Sequence, residues 1–381
     1  MALFLVLFAA FVLTAAIHVV SDQLDFLSID CGLEANYSGY NDNSVGNIVY
    51  FSDDNYTDAG ENCVVAEAAG GRRLPAMQTL RSFPSGERNC YSLPTVVGDK
   101  YLVRLQFAYG NCDGAINSTS SVEFDLNLGS SYWDTVTVQP GEGNVTKEVL
   151  FVAWASWAPV CLVNTGRGTP FVSVLELRPL ASALYPPVAA NQSMSLYKRL
   201  NMGTSVSLTR FPDDPHDRFW WMMVSPRWMN LSRTEADIKL DPTFDVPLPI
   251  LQTAVAPVGN DTSLTIMTWQ EKSYTFMVFL HFADFQNTQL RQFDIYFNDK
   301  PLAASYSPLY LADTYVCNSE WYRAPDDKYN ITIVASSAAS MLPPMLNALE
   351  IYTLMDLDDT RRTYYIDCKS FLIRLLSHID L

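Results

Sequence analysis

Two clusters of carboxylates are the first residues that could do chemistry. Asp53, Asp54 and Asp58 fall together, and so do Asp213, Asp214 and Asp217 in "FPDDPHDRFW". Loop carboxylates can hold calcium, but neither cluster has EF-hand spacing. Arg218 beside the second cluster favours an internal ion pair, in which a guanidinium bonds one Asp bidentately. A glycosidase needs two carboxylates facing across one cleft. Glu176 in "VSVLELRPL" and Glu350 in "LNALEIYTL" sit in apolar strands, which suggests structural groups on an outer face. His216 and His281 accompany no Ser or Cys nucleophile motif, and no G-x-S-x-G occurs. The chain is expected to be no enzyme and to hold no metal and no cofactor.

The elements around these residues are strands. In "YLVRLQFAYG", Tyr101, Val103, Leu105, Phe107 and Tyr109 share one face, with Arg104 and Gln106 on the other. In "SVEFDLNLG", Val122, Phe124, Leu126 and Leu128 alternate with Glu123, Asp125 and Asn127. A period of two is the mark of a strand with one buried face. The second half repeats both: "YTFMVFLHFAD" from Tyr274 and "QFDIYFND" from Gln292. Phe107-Ala108 matches Phe282-Ala283, Phe124-Asp125 matches Phe293-Asp294, and Glu176 matches Glu350. Three matches in order at nearly one spacing predict an all-β chain of two tandem sandwiches, with "ASALYPPVAANQS" as the linker. Pro186-Pro187 cannot continue a central strand. "FWWMM", Phe219–Met223, is the most apolar short run in the second half.

Composition sets the compartment. The 381 residues carry a net charge of −16, which repels phosphate backbones and argues against nucleic-acid binding. The run Leu3–Leu13, followed by small residues at Thr14, Ala15 and Ala16, reads as a secretory signal peptide over 1–23. Asn-X-Ser/Thr sequons occur at Asn36, Asn55, Asn117, Asn144, Asn191, Asn230, Asn260 and Asn330, and each is expected to face solvent. Some of the seven cysteines should pair in an oxidising compartment, and an odd count leaves one over. No CxxC pair suggests zinc. Cys63 and Cys112 fall in neighbouring loops, where they pair with each other or stay free.

Taken together, "FLSIDCG" (Phe26–Gly32), "TLRSFPSGERNCYSL" (Thr79–Leu93), "YLVRLQFAYGNCDG" (Tyr101–Gly114), "SWAPVCLVNTGRGTPFVSVLELRPL" (Ser156–Leu180), "FPDDPHDRFW" (Phe211–Trp220) and "LPPMLNALEIYTLMDL" (Leu342–Leu357) resemble the malectin-like ectodomain of plant leucine-rich-repeat receptor kinases. The resemblance implies two jelly-roll-type malectin-like β-sandwich domains: 24–180 and 191–357, joined by a Pro-containing linker at 181–190. It implies a module on the secretory route, extracellular or at the cell surface, binding an oligosaccharide or a peptide and working with a co-receptor. Association with a membrane would come only through a parent receptor or a partner. Animal malectin, a similar fold, holds sugars with loop aromatics and an Asp. The corresponding positions are Tyr109, Asn111 and Asp113 after one strand, Phe83 and Tyr91 in a second loop, and Phe285 in the second half. The aromatic pair itself is not reproduced, so a peptide- or protein-binding ectodomain is the alternative. After Leu357 comes "DDTRRTYYIDCKSFLIRLLSHIDL". With no kinase motif and only a short, charged apolar run, 358–381 is expected to be a divergent tail, and a soluble decoy is a further reading.

Overall fold

The structure is a computed structural model. It describes residues 25–65, 74–112, 121–139, 144–234, 237–336 and 342–356. The signal-peptide segment, Asp113, the Asn117 sequon, the tail and Cys368 lie outside the described residues.

Strands dominate the described residues, as the alternating pattern requires. The first half contributes β1 (Leu27–Asp30), β2 (Arg88–Pro94), β3 (Lys100–Phe107), β4 (Val122–Leu128), β5 (Ser131–Val138), β6 (Val145–Val152), β7 (Trp157–Arg167) and β8 (Val174–Leu180). The second contributes β9 (Gln192–Met202), β10 (Ser263–Gln270), β11 (Phe276–Phe282), β12 (Phe293–Phe297), β13 (Lys300–Tyr306), β14 (Thr314–Cys317), β15 (Lys328–Ala335) and β16 (Ala348–Asp356). Shorter strands extend the large sheet or form a separate three-stranded and a separate two-stranded sheet.

The two halves share one 12-stranded sheet, whose middle runs β1-β8-β3-β6-β9-β16-β11-β14. Separate four-stranded sheets run β2-β7-β4-β5 and β10-β15-β12-β13. The orders of the two halves are therefore the same, strand for strand. Even the glycines recur. Gly32 follows β1 and Gly203 follows β9, both at positive φ, and a Cβ on either would lie 2.0 Å from a backbone oxygen, of Leu80 and Ala254 respectively. Only glycine permits that approach.

One core lies between the first half of the large sheet and β2-β7-β4-β5, built on Val103, Leu105, Phe107, Phe124, Leu126 and Leu175. A second repeats it with Val278, Leu280, Phe282, Phe293, Ile295 and Leu349. A third was not foreseen. It covers the back of the large sheet, where Leu102, Leu150, Met194 and Phe279 pack against Leu184, Tyr185, Val188, Phe244 and Ile250. The segment expected to be a linker is thus partly core, and Lys100 Nζ holds it by bonds to the carbonyls of Ser182, Leu184 and Tyr185. This third core also explains why β3 is buried along its whole length whereas β4 alternates as expected.

Candidate functional site

Arg104, Glu148, Glu176, Arg199 and Glu350 point to the covered back of the large sheet. Strand register makes them neighbours: Glu148 and Glu176 flank Arg104, and Glu350 stands opposite Arg199. Arg104 Nε donates to Glu148 (2.8 Å) and Nη1 to Glu176 (2.7 Å). Arg199 Nη1 donates to the other Glu148 oxygen (2.7 Å), and its Nε to Glu350 (2.9 Å). An unbroken chain of ion pairs therefore crosses from one half to the other.

The loop carrying "FPDDPHDRFW" closes over this layer. Asp217 accepts from Arg178 and Arg210 at 2.8 Å and from Arg104 at 3.3 Å. Arg218 Nε donates to Asp214 (2.8 Å), to which Trp220 Nε1 also donates (2.7 Å). The Phe219 ring lies 3.5 Å from the Arg104 guanidinium carbon. Five arginines (104, 178, 199, 210, 218) balance five carboxylates (148, 176, 214, 217, 350), so the layer carries no net charge.

Burial pushes the Glu176 carboxyl up, but Arg210, Arg178 and Arg104 together outweigh it and hold the group at about 2. Glu148, Asp217 and Glu350 are likewise held below the carboxylate range by guanidinium or imidazole neighbours that overcome burial. Glu176 and Glu350 are therefore fully buried keystones rather than groups on an outer face. Segments 184–188, 210–220 and 244–251 cover the face that alternation alone would leave exposed.

Asp53, in the first carboxylate cluster, accepts from Arg81 at 2.9 and 2.5 Å and from Tyr91 Oη at 2.8 Å. Both acidic clusters thus serve arginines. Among the described residues, no group of three or more His, Cys, Asp or Glu is arranged to hold a metal.

The aromatic candidates for sugar contact divide. Phe83, Tyr91 and Phe285 are buried in the hydrophobic cores of the two halves, which leaves no ring face for a ligand. Their neighbours explain this: Phe83 packs edge-on against Tyr91, whose hydroxyl is committed to Asp53. Tyr109 is half-buried with its ring edge-on to Phe171. Asn111, at positive φ, has a buried Oδ1 with no hydrogen-bond partner among the described residues. Tyr109 and Asn111 line a recess of only about 10 Å³, room for roughly one water and not a sugar ring. The nearby Cys63–Cys112 disulfide fixes the loop, and Cys90–Cys161 joins β2 to β7. Among the described residues Cys31 and Cys317 are free.

A larger opening lies where the halves meet. β6 and β9 pair only at Val149↔Ser195 and Leu150↔Met194. Beyond that point a β-bulge at Tyr197 shifts the register of β9 against β16. A bulge bends its strand and increases twist, so β9 leaves β6. The resulting cleft, of about 540 Å³, has Glu148 and Arg199 at its floor and Trp221, Met223 and Met267 among its walls. Trp221 is 43% exposed, although its neighbour Trp220 is buried. "FWWMM" is therefore half core and half cleft. Trp221, Met222 and Met223 all line the cleft, so no alternation within the apolar run marks where core ends and cleft begins. Asn144, of the Asn-Val-Thr sequon, also lines the cleft. Asn36, Asn55, Asn144, Asn191, Asn230 and Asn260 are exposed, and Asn330 is half-buried on β15.

The malectin-like domain family matches residues 29–354. A probable LRR receptor-like serine/threonine-protein kinase of Arabidopsis thaliana, At1g51810, is 34% identical over 349 residues, covering 89% of this chain and 39% of its own length. The chain spans about two fifths of the length of the curated relatives it matches. Among solved structures, the ANX2 ectodomain from Arabidopsis thaliana superposes with a TM-score of 0.69 at 15% identity, covering 87% of this chain and 97% of that one. A complex of the plant peptide RALF23 with FER and LLG2 contains a chain that superposes at 0.67 and 15% identity, covering 87% and 96%. The structural likeness bears on fold, and the family match runs from β1 to β16: the chain belongs to the malectin-like family.

Proposed function

We propose that this chain is the extracellular ligand-binding module of a receptor kinase, that it acts with a co-receptor, and that its ligand is a peptide taken up between the two halves. On this reading the halves are two tandem malectin-like sandwiches, exported by a signal peptide and glycosylated at the exposed sequons. The observation that carries it is the cleft itself, with the solvent-reachable indole of Trp221 on its wall, set against the burial of Phe83, Tyr91 and Phe285. The similar fold found with RALF23 and LLG2 supports a peptide and a partner protein. Catalysis has no support here, because each carboxylate of the buried layer is held by arginine.

Calorimetry of the secreted, glycosylated chain tests the choice of ligand. The panel is glucose- and galacturonate-based oligosaccharides on one side and random peptides on the other. The expected outcome is saturable peptide binding that Trp221→Ala weakens. Saturable sugar binding lost in Tyr109→Ala would overturn it and restore the carbohydrate module, with Tyr109, Asn111 and Asp113 as its site.

A further inference from the structure

We infer that the cleft holds its ligand as an added β-strand: a short extended peptide segment pairs its backbone with the open edge where β6 and β9 part. This rests on the peptide-binding reading above and specifies how the peptide is held.

The ladder between the halves stops at Val149↔Ser195. Outward from there, Val145–Glu148 pairs only with β3 on its other side. Leu196 to Arg199 pairs only with β16 on its other side. Among the described residues, neither stretch has a cross-strand partner toward the cleft. Each therefore turns a row of backbone donors and acceptors to the opening, and such a row is a template for another strand.

The occupant follows from the chemistry of that row. Its groups repeat every second residue, a spacing that a peptide backbone matches and a sugar chain does not. Glu148 and Arg199 neutralise each other at the floor, so no ligand charge is demanded there. Trp221, Met223 and Met267 offer apolar, polarisable surface that accepts varied side chains.

The length is set from both ends. On β9 the next residues, Leu200–Met202, are already covered by Trp220–Met223 in parallel pairing. The open edge is thus about four residues, roughly 13 Å at about 3.3 Å per residue. The bulge and the exposed Lys198 blunt this edge against a long strand from a second copy. A short segment is what remains.

The probe is a random dodecapeptide library displayed on phage and selected against the secreted chain. The tightest binder is then made unmodified and with N-methyl groups on either alternate set of backbone amides. Only one set faces the sheet in an edge-added strand, so one methylated form should bind at least about tenfold more weakly and the other within about threefold. Amide exchange should slow within 145–148 or 196–199. Trp221→Ala should weaken binding about tenfold, and Leu309→Ala, exposed elsewhere, should not. Equal effects of the two methylated forms, or exchange protection confined to a different surface, overturn strand addition and leave the peptide-binding reading standing. If no peptide is selected and an oligosaccharide binds saturably, both fall.

Discussion

Glu148 on β6 and Arg199 on β9 meet at 2.7 Å on the line where the two halves of the large sheet join. Glu148 gives its second oxygen to Arg104, and Arg199 gives Nε to Glu350. The backbone ladder between β6 and β9 is two residue pairs long, so this side-chain chain reaches across the junction where main-chain pairing ends.

Glu148→Gln should therefore be costly. It removes the one carboxylate that two buried guanidinium groups share, leaving Arg104 to Glu176 and Arg199 to Glu350, a change worth about 3–5 kcal/mol where a buried pair is broken. Urea unfolding should show the loss. Because the residue joins the halves, the single transition should separate into two, detectable by following tryptophan fluorescence and β-sheet circular dichroism together.

Stability should depend on pH with a sign fixed by the buried layer. Glu176 lies at about 2 in the folded chain against an ordinary 4.5, and Glu148, Asp217 and Glu350 are shifted the same way. A depressed carboxylate contributes stability that is complete above its unfolded value and is lost as pH falls through its folded value. The loss should run from about pH 4.5 down to about 2. Asp30 and Asp313 are pushed up by burial, each to about 6, and act in the opposite sense. Their contribution falls as pH rises from 3.8 to about 6, so stability should decline between about pH 4.5 and 6. Thermal melts between pH 2 and 7 check both limbs.

Phe83→Ala and Trp221→Ala should part company. Phe83 is fully buried, and truncating such a ring costs about 3–5 kcal/mol. Trp221 is exposed on one side and should cost no more than about 1 kcal/mol. Denaturant midpoints measured on the two variants separate a core aromatic from a cleft aromatic without any ligand.

Native-state alkylation should label Cys317 before Cys31. Both are free, but Cys31 is fully buried and Cys317 half-buried. Burial raises both thiols, Cys31 further, so iodoacetamide should react slowly with Cys317 and with Cys31 only after unfolding. Cys63, Cys90, Cys112 and Cys161 should become reactive only after reduction. Peptide mass mapping gives the order.

Much of the strand repertoire and its repetition was legible in the chain. Alternation in Val122–Leu128 and Phe293–Phe297 reports a strand with one face buried and the other half-open, which is how both lie. The matched pairs Phe107-Ala108 with Phe282-Ala283 and Glu176 with Glu350 occupy matching strands, β3 with β11 and β8 with β16. The reading of Arg218 as an internal partner of an Asp also corresponds to a bond made, and the open question of Cys63 and Cys112 resolves as a pair.

The tertiary structure alone decided which polar residues are inside and where a ligand could enter. Local pattern records which side of a strand a residue is on, not what covers that side. Arg104 and Glu350 point away from the first two hydrophobic cores just as a solvent-facing residue would. They are buried because the segments 184–188 and 210–220, distant in sequence, fold over them. The cleft has the same origin. Tyr197 is one extra residue in β9, invisible as such until β16 is set beside it, and that single residue turns β9 away from β6 and opens the space beside Trp221.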